Sequence, residues 1–514
     1  MEPRSLVAAI DQGTTSSRCI LFDRSGRPVA SHQLEHAQLT PRPGWVEHDA
    51  KEILANVRTC VRVALASAGG DAHSLAAVGI SNQRETTVVW SRSTGRPIAP
   101  AIVWQDTRTA EAGARLAAGS PLGMDRFRAL TGLPISTYSS ALKLAALLDA
   151  AGPEARAHAE AGELLFGTID TWLIWSLTGG PDSGVHVTDV TNGSRTMLMG
   201  LESLAWEPEL LAAFDVPRAI LPEVRSSSEI YGVGVGEELA GVPIAGDLGD
   251  QHAALFGQGR FEAGGIKCTY GTGCFMLLHT GQVPIQSRHG LITTVAVRLG
   301  DAPATYALEG SVAVAGSLIQ WLRDQLGIIS SAGEVEALAR SVPDSGDVVV
   351  VPAFSGLFAP HWRSDARGVI AGLTRFATRA HIARASLEAV AYQVYDLGVA
   401  MAADLDAPLP DELRVDGGMV GNDLLMQFQA DVLDRPVAVP AVAETTALGA
   451  AYAAGLAVGF WSGLDELRAL DVEARRWEPR MGSVEREAGI SRWHKGVERT
   501  LGWVGSPVVA PGEA

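Results

Sequence analysis

The sequence predicts an α/β protein of two domains, and three observations support this fold class. The chain has 514 residues, which is too long for one hydrophobic core and fits two domains of about 250 residues each. Short apolar runs typical of buried strands alternate with longer segments in which apolar residues have helical spacing. A hairpin-like stretch rich in glycine and threonine occurs near the start of each half, about 260 residues apart. We therefore expect a duplicated α/β unit.

The first of these stretches opens the chain. Leu6–Ile10 is an apolar run that predicts a buried strand, and residues 19–22 predict a second strand after a polar break. The break contains Asp11 and the small residues 13–16. Backbone N–H groups and hydroxyls at such a tip can bind a triphosphate, while Asp11 faces a metal ion. An ordinary polar turn explains the same residues equally well.

Polar residues also follow the next buried strand, which is predicted at residues 76–80. The stretch Asn82–Thr86 comes directly after this strand, and open α/β sheets bind ligands at the carboxyl ends of their strands. Arg84 and Glu85 are therefore candidate site residues. The alternative is an exposed Arg–Glu pair on a loop, which is a frequent surface feature. Upstream of the strand, Asp49 is a candidate N-cap for a helix that continues to Leu65.

Residues 107–165 are predicted to be mostly helical, with a polar break at residues 137–140, and residues 184–192 are polar and typical of β structure. Residues 162–177 predict a strand and a helix. A further strand at 242–247 leads into a helix that starts near Asp250. Asp250 is either a first-turn acid that stabilises the helix N-terminus, or a general base held where two domains meet.

The second half begins after a glycine-rich strip at residues 257–265. We expect domains at 1–256 and 257–465, and a C-terminal extension at 466–514. An amphipathic helix is predicted at 446–457, and the Pro/Gly-rich tail after Gly505 is expected to be disordered.

Residues 265–278 repeat the strand, Gly/Thr tip and strand of the N-terminus. Two such hairpins, each starting a domain-sized half, predict a duplicated fold that binds a nucleotide between its halves. Strands are also predicted at 304–310, 348–352 and 413–416. The last of them enters a glycine-rich turn, where a flat purine or ribose can approach the backbone closely.

The charge balance and the cysteine pattern argue against several classes of protein. Forty-one basic residues stand against 58 acidic ones, giving a net charge of −17, which disfavours nucleic acids and anionic membranes as partners. The four cysteines lack CxxC spacing, so neither a disulfide framework nor a zinc site is indicated. No apolar run approaches the ~18 residues that span a bilayer. We expect a cytoplasmic protein without a nucleic-acid partner or membrane insertion.

Together these motifs resemble the FGGY carbohydrate kinases of the actin/hexokinase superfamily, from about Leu6 to about Trp461. The stretches that carry the resemblance are Asp11–Arg18, Asn82–Thr86, Ile102–Arg108, Gly249–Ala254, Tyr270–Phe275, Val415–Gly418 and the spaced pattern Gly368–Leu373, His381, Ala385–Glu388. The chain departs from the family at Ala146, because the first family signature has a Trp three residues after its lysine, here Lys143. The resemblance implies two ribonuclease H-like (actin/hexokinase-type) domains with an interdomain catalytic cleft.

The resemblance also implies an activity and a set of site residues. The Asn82–Glu85 stretch favours glycerol as substrate, because sugar kinases of the family carry a histidine-containing stretch there. The implied reaction is ATP- and Mg²⁺-dependent phosphorylation of glycerol to sn-glycerol 3-phosphate, with Asp250 as general base and Asp11 as the Mg²⁺ residue. The residues implied for glycerol are Arg84, Glu85, Trp104, Tyr138, Asp250, Gln251 and Phe275. The residues implied for ATP are Thr14, Thr15, Ser16, Arg18, Thr272, Gly316, Gln320, Gly418 and Asn422.

These roles agree with the chemistry that the residue types permit. A primary hydroxyl is a poor nucleophile at neutral pH, so a nearby carboxylate is expected. Two alternatives remain: a kinase of the same fold for another polyol or a ketopentose, and a nucleotide-gated binding protein without enzymatic activity. Asp250 together with a complete set of polyol-binding residues argues against the second alternative. The sequence leaves the oligomeric state open, a homo-oligomer included.

Regulation can be predicted from residues 229–243. Some bacterial members of the family are inhibited by fructose 1,6-bisphosphate bound in a loop just before the segment that corresponds to Gly249–Asp250, and others are activated by phosphorylation of a histidine there. Here the stretch contains three glutamates and no Lys, Arg or His, whereas a bisphosphate of about −4 charge needs cationic donors. We expect both controls to be absent at this loop. Arg225 or a neighbouring subunit are the alternative sources of positive charge.

Overall fold

The fold is described from a computed structural model, which covers residues 4–504. The tail after Gly505 lies outside the described residues, so its disorder stays a prediction. In the first half the strands are β1 Leu6–Gln12, β2 Ser16–Phe22, β3 Pro28–Glu35, β4 Glu47–His48, β5 Leu75–Asn82, β6 Val88–Ser91, β7 Ala101–Ile102, β8 Leu164–Gly167, β9 Val187–Asp189, β10 Glu223–Arg225, β11 Ser228–Val233 and β12 Pro243–Gly249. The helices are α1 Ala50–Ser67, α2 Ala110–Ala118, α3 Arg128–Thr131, α4 Ser140–Ala151, α5 Pro153–Glu160, α6 Ile169–Leu177, α7 Val190–Gly193, α8 Pro208–Phe214 and α9 Asp250–Gly257.

In the second half the strands are β13 Ile266–Tyr270, β14 Cys274–Gly281, β15 Ile292–Val297, β16 Thr305–Val312, β17 Val349–Val351, β18 Val369–Ala371, β19 Leu413–Asp416, β20 Val437–Pro440 and β21 Glu473–Trp477. The helices are α10 Gly316–Asp324, α11 Glu334–Arg340, α12 Arg379–Leu405, α13 Asp423–Leu433, α14 Thr445–Ala457, α15 Leu464–Leu470 and α16 Ser483–Glu498. None of the helices in residues 4–504 combines the length and the apolar character needed to cross a membrane.

The two large sheets repeat one topology, which confirms the predicted duplication. The first sheet has the order β3-β2-β1-β5-β12-β11, with the β1–β5 and β5–β12 pairs parallel and the other neighbours antiparallel. The second sheet has the order β16-β14-β13-β19-β20-β21 with the same sequence of orientations, and β15 adds a further strand beside β16. In both sheets a Gly/Thr hairpin therefore lies next to a parallel strand whose carboxyl end reaches the same edge.

Most predicted elements agree with the structure, and the differences are local. Asp49 is the N-cap of α1, as predicted, and its carboxylate accepts a hydrogen bond from the Lys51 N–H. Asp11 lies inside β1 and does not end that strand, because its backbone continues the ladder to β2 and β5.

Helix α14 is the main departure from the prediction. It was expected to be amphipathic, yet it is buried on nearly all sides. One side packs on β1, β5 and β12 of the first sheet, and another packs on α9. A helix enclosed by two layers has no polar face, so the end of the second half completes the core of the first half. The predicted domain limits stay predictions.

Candidate active site

Arg84 and Glu85 lie at the carboxyl end of β5 and are almost fully buried, with 3% and 1% of their surface exposed. The alternative of an exposed surface pair is therefore wrong. The Arg84 Nε lies 3.0 Å from Asp250 Oδ1. Its two terminal nitrogens donate to the two carboxylate oxygens of Glu309, at 2.5 and 3.0 Å. Arg84 thus connects the end of β5 with the start of α9 and with the second sheet.

Glu85 is held by a different arginine. Its backbone has a φ of +61°, a left-handed conformation that is uncommon outside glycine. The Glu85 Oε1 accepts a hydrogen bond from Arg195 Nε at 2.7 Å, and the Glu85 carbonyl accepts one from the Ser140 hydroxyl. The constrained backbone and the buried ion pair together fix the direction of the Glu85 carboxylate.

Arg84, Glu85, Arg195 and Glu309 form a buried charged cluster, in which each side chain affects the pKa values of the others. Burial alone raises the pKa of a carboxyl group, but Arg195 and Arg84 outweigh that effect and hold the pKa of Glu309 well below its usual range. For Glu85 burial is the larger effect, so its pKa is raised in spite of Arg195 and Arg84. The pKa of the Tyr138 phenol is raised by burial and by Glu85. Tyr138 is therefore a neutral hydroxyl that can donate or accept a hydrogen bond.

Three aromatic rings form a wall beside the charged cluster. The Trp104 ring stands edge-on to the rings of Tyr138 and Phe275, with centroid distances of 5.6 and 6.4 Å. The Trp104 Nε1 donates to Thr14 Oγ1 at 2.9 Å. The wall therefore joins the polyol candidates to the first hairpin and to the second sheet.

Lys143 belongs to the first family signature, from which the chain differs at Ala146, and it supports the segment that carries Tyr138. Its side chain is fully buried, and its Nζ donates to the backbone carbonyls of Tyr138 and Ser139. Burial lowers the pKa of Lys143 to about 7. The lysine at this position fixes a turn, and Ala146 does not alter those bonds.

Asp250 begins α9, and its side chain is partly exposed, so a ligand can reach its carboxylate. Its Oδ1 accepts a hydrogen bond from the Gln251 N–H at 2.7 Å. The Gln251 side chain lies between two groups: its Nε2 is 3.3 Å from Asp250 Oδ2, and its Oε1 accepts a hydrogen bond from Lys267. Lys267 is buried in β13 and also donates to Thr269 Oγ1 at 2.8 Å. The amide of Gln251 is therefore oriented with its N–H₂ group towards Asp250.

The first hairpin presents Asp11 and Arg18 on adjacent strands. The Arg18 Nη2 lies 2.9 Å from Asp11 Oδ2 and also contacts Glu444, the residue before α14. Burial raises the pKa of Asp11 against the effect of Arg18, and the nearby Asp250 and Glu444 add to the increase. The turn is closed by a hydrogen bond from the Gly13 N–H to the Ser16 carbonyl. Thr14 and Ser16 are partly exposed at this tip and Thr15 is exposed.

The second hairpin packs on the start of α10. The Thr272 carbonyl accepts hydrogen bonds from Ala315 and Ser317, and the Gly316 N–H donates to the Gly271 carbonyl. A Cβ atom at position 316 would lie 2.6 Å from that carbonyl oxygen, so glycine is required there. The structure thus places Thr272 and Gly316 side by side.

The other nucleotide candidates lie around this second hairpin. The turn after β19 contacts it through the Met419 N–H, which donates to the Tyr270 carbonyl. Gly418 in that turn has open space around its Cα, and Gln320 is exposed on α10. The Asn422 Oδ1 is the N-cap acceptor of α13, so only its amide N–H₂ group is free of that helix.

Four charged residues of the site were missed in the sequence: Arg195, Lys267, Glu309 and Glu444. Lys267 and Glu309 each carry a charge inside a buried strand of apolar neighbours, and such a charge needs a partner. That signal was available in the sequence. Arg195 and Glu444 lie in polar segments without any comparable pattern.

Residues 229–243 form β11 and the turn into β12, away from this cluster. Two arginines contact the stretch. Arg225 is paired with Glu229, and Arg58 of α1 is paired with Glu238 and also contacts the Val235 carbonyl. Arg225 is close to this stretch in the sequence, whereas Arg58 of α1 is brought to it only by the fold.

Comparisons with known proteins match most of the chain. The family model "FGGY family of carbohydrate kinases, N-terminal domain" matches residues 6–257, and the corresponding C-terminal domain model matches residues 266–458. The chain is 59% identical over 498 residues to a glycerol kinase of Methylorubrum extorquens (strain PA1), covering 97% of this chain and 98% of that relative. It is 58% identical over 504 residues to a glycerol kinase of Nocardia farcinica (strain IFM 10152), covering 97% and 99%.

Solved structures show the same similarity in three dimensions. The crystal structure of Plasmodium falciparum glycerol kinase with ADP superposes with a TM-score of 0.90 at 37% identity, covering 96% of this chain and 98% of that chain. A ligand-bound xylulose kinase from Lactobacillus acidophilus superposes with a TM-score of 0.83 at 22% identity, covering 96% and 97%. The second similarity concerns the fold alone.

Proposed function

The chain belongs to the FGGY family of carbohydrate kinases, and we propose that it catalyses the ATP-dependent phosphorylation of glycerol to sn-glycerol 3-phosphate. The observation that carries this conclusion is the 58–59% identity to glycerol kinases over almost the whole of both chains. A buried cluster of charged and hydroxyl-bearing side chains beside an aromatic wall suits a small polyol.

The polyol site is proposed to hold glycerol by many polar groups at once. Arg84, Glu85, Tyr138 and Gln251 supply donors and acceptors for its hydroxyls, while Trp104 and Phe275 cover its carbon atoms. A small polyol offers little apolar surface, so recognition depends on hydrogen bonds that are costly to leave unpaired in a buried site. The ion pairs of Arg84 and Glu85 support this role, because they hold both side chains in one orientation.

Asp250 is proposed to accept the proton of the attacking hydroxyl. Its side chain is partly exposed, unlike those of Glu85 and Glu309, and Arg84 Nε, 3.0 Å from its Oδ1, holds its orientation. General-base catalysis of this kind contributes about 10²–10⁴-fold to the rate. Asp250 Oδ2 is the oxygen without that arginine contact, and we assign the proton to it.

Mg²⁺ and ATP are proposed to bind between the two hairpins. Asp11 fits an Mg²⁺ ion, because a buried carboxylate beside the further carboxylates Asp250 and Glu444 gains from a divalent cation. In residues 4–504 no group of three or more His, Cys, Asp or Glu side chains has the geometry of a metal cage, and Mg²⁺ is ordinarily held by one or two carboxylates plus substrate phosphates and water. When bound, the ion neutralises phosphate charge. Thr14, Thr15, Ser16, Arg18 and Thr272 would contact the phosphates, and Gly316, Gln320, Gly418 and Asn422 would line the nucleoside site.

A coupled ATP-to-ADP assay with glycerol, dihydroxyacetone, xylulose, ribulose and erythritol tests the proposal. We expect glycerol to have the highest kcat/KM and the reaction to require Mg²⁺. A sugar with far higher kcat/KM than glycerol would contradict the assignment of substrate. The cytoplasmic location, the absence of a nucleic-acid partner and the oligomeric state stay predictions.

A further inference from the structure

Glu309 is the charged residue that joins the two halves of the molecule beneath the polyol site. It lies in β16 of the second sheet and has no exposed surface. Its carboxylate accepts hydrogen bonds from Arg84 and from Arg195, which both belong to the first half. A buried ionised group is stable where its partners are well placed. Of the two partners here, Arg84 is itself a proposed glycerol residue, and Arg195 contacts another one, Glu85.

The hydrogen bonds of Arg84 show what Glu309 does to its orientation. A guanidinium has five N–H groups. Glu309 accepts one hydrogen bond from each terminal nitrogen of Arg84, and Asp250 lies next to Nε. Two N–H groups remain for ligand hydroxyls. Because a bidentate carboxylate fixes the plane of a guanidinium, Glu309 determines where these two N–H groups point.

Arg195 extends the same control to two other residues. Its Nη2 lies 3.3 Å from Glu309 Oε1, and its Nε donates to Glu85. Its guanidinium carbon lies 5.5 Å from the centre of the Tyr138 ring, within the range of a cation–π contact. A displacement of Arg195 therefore moves both Glu85 and Tyr138.

We infer that Glu309 is a positioning residue for the polyol site, acting through Arg84 and Arg195. Three of the proposed glycerol residues, Arg84, Glu85 and Tyr138, take their orientation from a carboxylate that the other half supplies. The polyol site is therefore complete only when the second sheet is seated against the first half. The inference rests on the proposed function for its assay substrate.

The test is a comparison of steady-state constants for Glu309→Gln. The amide keeps the size of the side chain and removes its charge, so it cannot accept from two arginines with the same strength. We expect the KM for glycerol to rise about ten- to a hundredfold, as for a lost hydrogen bond to a charged group, and the KM for ATP to change less than about threefold. Glu309→Asp, which keeps the charge on a shorter side chain, should recover part of the affinity.

A matched control separates positioning from a loss of stability. Asp396→Asn removes another buried carboxylate of the second half, which accepts hydrogen bonds from Trp493 and His494 of α16. Asp396 belongs to α12, which carries none of the proposed glycerol or nucleotide residues. It should lower the melting temperature and leave the KM for glycerol unchanged. If Glu309→Gln does not fold, Glu309→Asp is compared with the control in the same way, and a raised KM for glycerol alone is then the expected result.

The network itself is tested by a double-mutant cycle. If Arg195 and Glu309 act as one unit, Arg195→Gln combined with Glu309→Gln should raise the KM for glycerol no further than the worse single variant. An unchanged KM for glycerol in folded Glu309→Gln, or an equal rise for glycerol and ATP, would overturn the inference. Failure of the unmodified protein to phosphorylate glycerol would instead contradict the proposed function.

Discussion

Among single residues, Asp250 takes part in two kinds of interaction that predict different effects of its removal. Its carboxylate accepts a hydrogen bond from the Gln251 N–H in the first turn of α9, which stabilises the helix. The same carboxylate is partly exposed and lies against Arg84, which suits a general base. The first contact contributes to stability, and the second places the carboxylate where a substrate hydroxyl would lie.

The substitution Asp250→Asn separates these two effects. We expect kcat to fall by about 10²–10⁴-fold, because the amide cannot accept the proton, while thermal unfolding shows a folded protein. Asp465→Asn is the matched control, because Asp465 is also an acidic residue in the first turn of a helix but is exposed. A variant that melts early and retains kcat would leave Asp250 with the helix-stabilising role alone.

The site residues that could be predicted from the sequence belong to motifs. Those that could not, such as Arg195 and Glu309, form hydrogen bonds with residues of the motifs. Arg84 and Glu85 were predictable because they follow a strand in a polar stretch. Glu309 lies 225 residues after Arg84 along the chain, and no local pattern predicts which two charges will meet at such a separation. Single charges inside apolar strands indicate that a partner exists, but only the fold identifies it.

Between elements, the contact of α9 with α14 depends on glycine. A Cβ atom at Gly449 of α14 would overlap the carbonyl oxygen of Ala253 in α9, and one at Gly257 would overlap the carbonyl oxygen of Thr445. The backbones of the two helices are therefore in direct contact, with no side chain between them at these glycines. The sequence predicted α14 as a helix but not its burial, because small residues give no strong periodic signal.

The substitution Gly449→Ala should push these helices apart. We expect a loss of about 1–3 kcal/mol in the free energy of unfolding, typical of overpacking, measured by urea denaturation. Gly482→Ala is the control, because a Cβ at the N-cap of α16 meets no atom within 4 Å. Equal stabilities for the two variants would show that α14 shifts without cost.

Three buried aspartates connect α6, β9 and β12 next to the carboxyl end of β5, where Asn82 donates a hydrogen bond to Asp170. Asp170, Asp189 and Asp247 have no exposed surface, and their partners include Thr188, Asn192 and Ser227. Burial and the neighbouring Asp170 and Asp189 raise the pKa of Asp247 well above its ordinary value, and burial raises that of Asp189 to about 6. The Asp247 Oδ1 accepts a hydrogen bond from Asn192 Nδ2 at 3.4 Å, and the nearby carboxyl group of Asp170 favours the protonated form of Asp247.

This cluster predicts that stability falls as the pH rises. Above an unfolded pKa of about 3.9 the unfolded chain releases protons that the folded protein retains, at up to about 1.4 kcal/mol per pH unit and group. For Asp189 the decrease extends from about pH 4 to about 6, and for Asp247 it extends further. Asp247→Asn, which keeps a donor but cannot ionise, should flatten urea midpoints measured from pH 5 to 8. The exposed Asp182→Asn should retain the wild-type slope, and identical slopes for both variants would contradict the prediction.

For the whole molecule, fructose 1,6-bisphosphate should have no effect through residues 229–243. The arginines that contact this stretch, Arg58 and Arg225, are paired with Glu238 and Glu229, so a bisphosphate would have to break an ion pair to gain each contact. Millimolar fructose 1,6-bisphosphate is expected to leave the rate of glycerol phosphorylation unchanged. Saturable inhibition that disappears in Arg225→Ala would show that this arginine is available after all.

The two-domain organisation could be predicted from the sequence, because each half carries its own hairpin and its own alternation of strands and helices. The interdependence of the halves could not. It arises from α14 and Glu309, which lie late in the chain and contact the first half through shape and charge rather than through a motif. The sequence pattern of one segment does not indicate which distant segment will pack against it in the folded protein.

The position of α14 also has a consequence for biosynthesis. The strands β1, β5 and β12 have all left the ribosome soon after residue 249, yet the helix that covers their face begins only at residue 445. Throughout the intervening translation the apolar side chains of that face, such as Val7 and Ala245, lack their native cover. The first half can therefore bury this face in the native way only after the far end of the chain has been synthesised.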